Sequence, residues 1–133
     1  MSGVAIIRYL LANDASLVAV VPATRIMPGI MPIDTTLPAI AVRQISGFDR
    51  SFLSRGAGDY HTERVQVTAL ATTYPQQKTI LALIKDALPA TRGTVNGYYV
   101  DSIKPDIDGP DLYTENPIIY EQGTDFIVRF IRN

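Results

Sequence analysis

The chain has 133 residues, of which 47% are hydrophobic and 19% charged, and its net charge is −1. This length fits a single domain, 1–133, and the apolar fraction excludes a disordered chain. The near-neutral charge gives no general attraction to nucleic acid or to a membrane surface, and the lack of cysteine excludes disulfides and thiolate metal sites. Because Arg8 and Asp14 interrupt the apolar start of the chain, we expect neither a signal peptide nor a membrane span.

The N-terminal third predicts two helical segments and a linker. Apolar residues recur at helical spacing over residues 3–12, with Arg8 on the other side, and predict a first helix. Asp14 is suited to cap a second, short helical segment over 15–21, which Pro22 ends. Three prolines and a glycine indicate a linker at 28–38.

Alternating apolar and polar residues predict the strands. The clearest case is 62–71, where Val65 and Val67 alternate with polar side chains. Besides a brief strand at residues 26–27, the predicted strands cover 39–46, 62–71, 98–104 and 124–132.

A third helix is predicted between the second and third main strands. Pro75 stands at the favoured first helical position, Pro89 closes the segment, and Asn96-Gly97 marks a turn further on. Consecutive strands without a helical crossover favour antiparallel pairing. We therefore predict a two-layer α+β fold with a mostly antiparallel four-stranded sheet and helices packed on one face.

Two connections between predicted strands are unusually long, at 47–61 and 105–122. Loops of this length in a compact domain are usually functional or disordered. The first carries several glycines together with Phe48, Phe52, Leu53 and Tyr60. Two interpretations remain open: these side chains fold back onto the domain as a satellite cluster, or 47–61 is a flexible arm that docks on another subunit.

No catalytic, metal or cofactor motif is recognisable. His61 is the only histidine, and no nucleophile elbow or cysteine accompanies it, so we expect a surface histidine. Asp106, Asp108 and Asp111 superficially suggest a calcium loop, but the glycine and glutamate of that loop are misplaced, which favours a solvated loop. The glycine-rich segment 55–58 lacks a lysine and a following helix for phosphate binding.

The order and spacing of several blocks resemble the tail-completion, or tail-terminator, proteins of long-tailed bacteriophages. The blocks are LLANDASLVAVV at 10–21, RI at 25–26, LPAI at 37–40, RVQV at 64–67 and TY at 73–74 before a helix. They span roughly residues 3–90, and the C-terminal third agrees only in having two more strands.

The resemblance implies a structural virion protein that is not an enzyme. It implies a ring, typically a hexamer, that sits at the neck end of the tail tube, stops its growth and joins it to a head-side connector. The partners would be other copies of the chain, the tail tube protein and the connector, with assembly in the bacterial cytoplasm. For these contacts we single out Phe48, Phe52, Leu53, Tyr60, Ile127 and Ile131.

Tight nucleic-acid binding is not expected, because Arg50, Arg55, Arg64 and Arg92 are spread among acidic residues. Two alternatives remain open. One is a different neck protein, such as a head-closure adaptor. The other is a regulatory α+β module in which the two long loops close over a small molecule.

Overall fold

The computed structural model describes residues 2–29, 36–50, 60–88, 93–115 and 118–132. The helices are α1 (Ser2–Ala12), α2 (Ala15–Val18) and α3 (Tyr74–Ala87), with a 3-10 turn at Ala23–Arg25. The strands are β1 (Ile26–Pro28), β2 (Ala39–Arg50), β3 (Tyr60–Ala71), β4 (Gly93–Val95), β5 (Tyr98–Asp108), β6 (Leu112–Thr114) and β7 (Ile119–Arg132). In these ranges no helix is long and apolar enough to cross a membrane.

The helices begin where the sequence places their caps. The Leu17 N–H donates to Oδ1 of Asp14 at 2.9 Å, although α2 ends three residues earlier than predicted. The Gln76 N–H donates to Oγ1 of Thr73 at 3.4 Å, with Pro75 in the first turn of α3. Both contacts satisfy backbone donors that have no partner within the helix.

A single sheet contains the seven strands found in the described residues. Its order is β1-β2-β3-β7-β5-β4, and β6 pairs with β7. The β1–β2 pair is parallel and the other pairs are antiparallel. The predicted four-stranded sheet is therefore wrong in its strand number. Strands of three residues, such as β4 and β6, are too short for alternation to reveal them.

The long strands extend further than predicted. A register shift between Gln44 and Ser46 breaks the alternation of β2, which nevertheless stays paired with β3 as far as Arg50 opposite Tyr60. Of the predicted arm, 47–50 and 60–61 lie in strands, and 51–59 fall outside the described residues. The second connection likewise contains the end of β5, β6 and the start of β7.

The hydrophobic core lies on one face of the sheet. Val42, Val67 and Thr124 stand opposite one another across β2, β3 and β7, and all three are buried. The largest fully buried side chains are Phe126, Phe130, Ile6, Ile7, Leu11, Leu17, Ile26, Ile40, Ile80, Ile84, Ile103 and Gln77.

The sheet curls around α1. This helix contacts β1, β2 and β3, and it also contacts β4, which lies at the opposite end of the strand order. Helix α3 packs beside it, in contact with β3 and β7. The predicted two-layer arrangement does not include this curvature. The curvature follows from the contacts of both ends of the sheet with the same helix.

Candidate functional site

The two predicted contact residues on β7 lie on the sheet face opposite the core, which we call the open face. Ile127 and Ile131 are half-buried there, whereas their neighbours Phe126 and Phe130 are buried in the core. Other described members of the open face are also half-buried or exposed, among them Ala41, Arg43, Arg64, Gln66, Thr68, Leu70, Lys104, Asp125 and Arg129.

The other predicted contact residues fall near one end of the sheet or outside the described chain. Phe48 pairs with Thr62, and Tyr60 pairs with both Arg50 and Ile131. The structure therefore places Phe48 and Tyr60 on strands, and Tyr60 next to Ile131. Phe52 and Leu53 lie outside the described residues.

On the open face, the charge of Arg64 is paired within the subunit. Nη1 of Arg64 lies 2.5 Å from Asp106 and 3.2 Å from Asp125. These hydrogen bonds, that to Asp106 first, raise the pKa of Arg64. Because the side chains are partly exposed, such pairs add little stability, but they hold the Arg64 guanidinium in place on the strand next to Ile127, which is opposite Arg64 in the β3–β7 register.

A second surface, which we call the tyrosine patch, lies at the other end of β7. It consists of Tyr74, Leu112, Tyr113 and Ile118, whose exposed fractions range from 43% to 52%. The patch is ordered by ring packing, since the Tyr120 ring lies 4.8 Å from that of Tyr113 and 6.0 Å from that of Tyr74. Clustered exposed apolar side chains of this kind mark contact surfaces.

Lys78 of α3 ties the tyrosine patch to the helix. Its Nζ donates to Asp111 at 2.8 Å and to Gln122, and it lies 5.0 Å from the centroid of the Tyr74 ring. Oη of Tyr74 donates to the same Asp111 carboxylate at 2.8 Å. The hydrogen bond from Lys78, and then that from Tyr74, lower the pKa of Asp111. The patch is thus preorganised, because its segment is already fixed on α3.

The three aspartates are exposed, as expected of solvated residues, but Asp106 and Asp108 lie on β5 rather than in a loop, and each carboxylate has a basic partner. Asp106 pairs with Arg64, and Asp108 pairs with Lys85 at 3.0 Å, while Asp111 pairs with Lys78. Among the described residues no group of histidine and acidic side chains converges as metal ligands.

His61 is only partly exposed, and one side of its ring is covered by the sheet. Its ring is half-buried and stacks on Phe130 at a centroid distance of 5.2 Å and an interplanar angle of 24°. It stands opposite Phe130 in the β3–β7 register, so packing explains its position.

An open cavity of about 380 Å³, which we call the α1 groove, lies between α1, the end of β1 and the β4–β5 turn. Its lining residues are Val4, Ala5, Arg8, Tyr9, Ala12, Asn13, Pro28 and Asn96. The two long connections contribute no described residue to it, unlike the pocket that the small-molecule alternative predicts. The sequence signal for it was the less apolar side of the first helix.

Comparison with known proteins agrees with the resemblance found in the sequence. The family model of the tail completion protein gp17 matches residues 5–109. No curated protein sequence matches the chain. A solved chain from the "Virion of native gene transfer agent (GTA) particle" superposes with a TM-score of 0.76 at 15% identity, covering 96% of this chain and 93% of that one. At this identity the likeness shows a shared fold.

The family match runs from α1 to the end of β5 and so covers most of the chain. It includes all five sequence blocks on which the resemblance rested. The chain therefore belongs to the tail completion protein gp17 family and is a structural protein of a phage tail, and hence of a virion.

Proposed function

We propose that the protein forms a ring that caps the phage tail tube, stops its polymerisation and joins the tail to the head-side connector. The observation that carries the proposal is the tyrosine patch, an apolar surface that is ordered within the subunit and yet exposed. A ring generated by rotation brings two different surfaces of each subunit together. In this proposal six subunits form the ring, and the tyrosine patch is one of its two contact surfaces.

The open face then contacts the partners of the ring, the tail tube and the connector. Ile127 and Ile131 are half-buried on this face, and Arg64 opposite Ile127 is already paired with Asp106 and Asp125, so an incoming protein would cover apolar area without separating Arg64 from its carboxylates. A large side chain moved from full exposure to full burial contributes about 1.5–3 kcal/mol, and a half-buried one contributes part of that. Phe48 and Tyr60 belong to the same proposed surface.

DNA passes such a ring without being held tightly. The net charge of the chain is −1, and Arg64 is already neutralised by Asp106 and Asp125. Tight binding to the phosphate backbone requires several unpaired lysines and arginines on one surface. We expect duplex binding at physiological salt to be too weak to separate from non-specific association.

The decisive experiment compares tails made in cells that carry the intact gene, no gene, or the Ile127→Ser/Ile131→Ser variant. We expect tubes of irregular, excessive length without heads when the gene is absent. The variant, whose changes lie on the open face, should keep its fold and its oligomeric mass but fail in attachment. Matched Thr68→Ser, also on the open face, should behave as the intact protein.

Two outcomes decide against the proposal. If tails without the protein have regular length but lack heads, the chain is a head-closure adaptor. If tails without it are regular in length and carry heads, the proposal is wrong altogether. Light scattering on the purified protein measures the mass of the ring independently of the tails.

A further inference from the structure

We propose that the α1 groove of one subunit receives the tyrosine patch of a second copy of this chain, with Glu115 of the patch segment paired to Arg8 of the groove. This inference rests on the proposed ring and names the second contact surface that the ring requires. It involves neither the open face nor the connection at 51–59.

The groove has the size and shape for large side chains. Ala5 and Ala12, two helical turns apart and both half-buried, line the groove side of α1, and their small side chains leave space beside the half-exposed ring of Tyr9. The volume, about 380 Å³, lies at the small end of the range of sites that bury a whole ligand. One or two aromatic or aliphatic side chains of a partner would fill it.

Arg8 gives the groove its charge. Its Nε donates to the Ile26 carbonyl at 2.9 Å and its Nη2 to the Ala23 carbonyl at 3.4 Å. These two bonds orient the guanidinium but leave its positive charge uncompensated, and no carboxylate among the described residues pairs with it. A carboxylate next to an apolar side chain is therefore the chemistry that complements the groove.

The tyrosine patch offers that combination. Leu112 and Tyr113 are half-exposed, and Glu115 follows them on the same short segment with its side chain in solvent. The carboxylate of Asp111 is already engaged by Lys78, whereas no described cation pairs with Glu115. Glu115 is thus the charge that this segment can present to another molecule.

The two surfaces belong to different copies because they lie at opposite ends of β7. Tyr120 packs within the tyrosine patch, whereas Arg132 pairs with Tyr98, two residues after the groove residue Asn96. From Tyr120 to Arg132 there are twelve residue steps, which at roughly 3.3 Å each correspond to about 40 Å along the strand. One subunit cannot bring its own patch to its own groove, so the contact joins unlike surfaces of neighbouring copies, as a ring requires.

A charge exchange tests the pairing. Arg8→Glu and Glu115→Arg should each abolish the ring in light scattering, and the double variant should restore it. Asp86→Arg, a charge reversal on an exposed part of α3, should leave the ring intact. Because Arg8→Glu also removes the two carbonyl contacts of Arg8, Ala12→Trp provides a second probe that fills the groove and leaves them in place. It should keep the thermal unfolding midpoint and abolish the ring.

Cysteine cross-linking gives a readout that does not depend on ring stability, since the chain contains no cysteine. A mixture of Asn13→Cys and Glu115→Cys proteins treated with a short bismaleimide should yield covalent dimers containing one of each. If every groove and patch variant still has the mass of a ring and no such dimers form, this contact is overturned, while the proposed ring remains intact. A wild-type protein that stays monomeric, again without dimers, would overturn both. Failure of the double variant to recover the ring, although it folds, would overturn the Arg8–Glu115 pairing.

Discussion

The backbone N–H of Gly3 donates a hydrogen bond of 2.9 Å to Oε1 of Glu63, which joins the first turn of α1 to β3 across sixty positions of the chain. The approach is close, since a methyl group added at Gly3 would lie 2.5 Å from the same oxygen. The first N–H groups of a helix lack partners within it, and the helix dipole favours an anion at this end. Glu63 therefore fixes the position of α1 inside the curled sheet.

Replacing Glu63 with glutamine tests this anchoring. Glu63→Gln keeps the shape and one acceptor but removes the negative charge, so the free energy of unfolding should fall by about 0.3–1 kcal/mol. Urea denaturation at low salt measures the change. Glu121→Gln on β7 is the matched control and should stay within about 0.5 kcal/mol of wild type. Equal effects of the two changes would show that the helix terminus gains nothing from the charge.

Gln77 of α3 is fully buried, and neither its amide nitrogen nor its amide oxygen has a hydrogen-bond partner among the described residues. A buried polar group without a partner costs about 1–3 kcal/mol. We expect Gln77→Met, which has a similar length and no amide, to raise the free energy of unfolding by an amount in this range. Gln76→Met, one position earlier and only half-buried, should have little effect. A loss of stability in Gln77→Met would contradict this expectation.

Acid should weaken the contact between β5 and α3. The hydrogen bond from Lys85, and then that from Thr124, lower the pKa of Asp108 below its ordinary value of 3.8. A carboxylate with a lowered folded-state pKa contributes stability above the unfolded-state value, and this is lost as the pH falls through the folded-state value. The free energy of unfolding should therefore decline below about pH 4.

The variant Asp108→Asn identifies the source of this acid dependence. It keeps an oxygen that can accept from Thr124 Oγ1 but removes the charge opposite Lys85. Its stability at neutral pH should be lower than that of wild type and should depend less on acid. Asp86→Asn, exposed on the same helix as Lys85, should retain the wild-type profile. Identical pH profiles for wild type and Asp108→Asn would contradict the assignment.

Local periodicity was sufficient to predict much of this fold. The spacing of apolar residues located α1 and α3, and strict alternation located β3 with Val65 and Val67 on the core face. Alternation failed for β2 beyond Gln44, because the register shift interrupts the pattern there and residues 45–47 are all exposed. It could not detect β6, whose three residues form a strand only because β7 pairs with them.

The candidate surfaces were less predictable than the elements that carry them. Apolar residues on both faces of β7 were visible in the sequence, and Ile127 and Ile131 do lie half-buried opposite the core. The α1 groove was not visible in the sequence, because Pro28 and Asn96 are far apart in the chain and line the same groove only through the curl of the sheet. The pairing of Asp111 with Lys78 was hidden for the same reason, since it joins a loop to a helix 33 positions away.

The connection between β2 and β3 remains the proposed arm that orders against a neighbouring subunit. Ordering costs about 1–2 kcal/mol per residue, so burying Phe52 and Leu53 of the connection, together with Phe48 of β2, at about 1.5–3 kcal/mol each would offset only part of the cost. The arm therefore needs further contacts, such as strand pairing with the edge of a neighbour's sheet. We expect serine at all three positions to leave the melting temperature of the monomer nearly unchanged and to abolish the ring or its attachment to the tube.

Separate variants distinguish the strand from the arm in this prediction. Phe48 lies in β2 opposite Thr62, whereas Phe52 and Leu53 belong to the connection itself. Phe52→Ser/Leu53→Ser should therefore reproduce the assembly defect of the triple variant, with circular dichroism and thermal melting as in wild type. The single variant Phe48→Ser shows separately how much the side chain on β2 contributes to assembly. If the double variant unfolds, these side chains belong to the core of the domain, and the satellite-cluster interpretation replaces the arm.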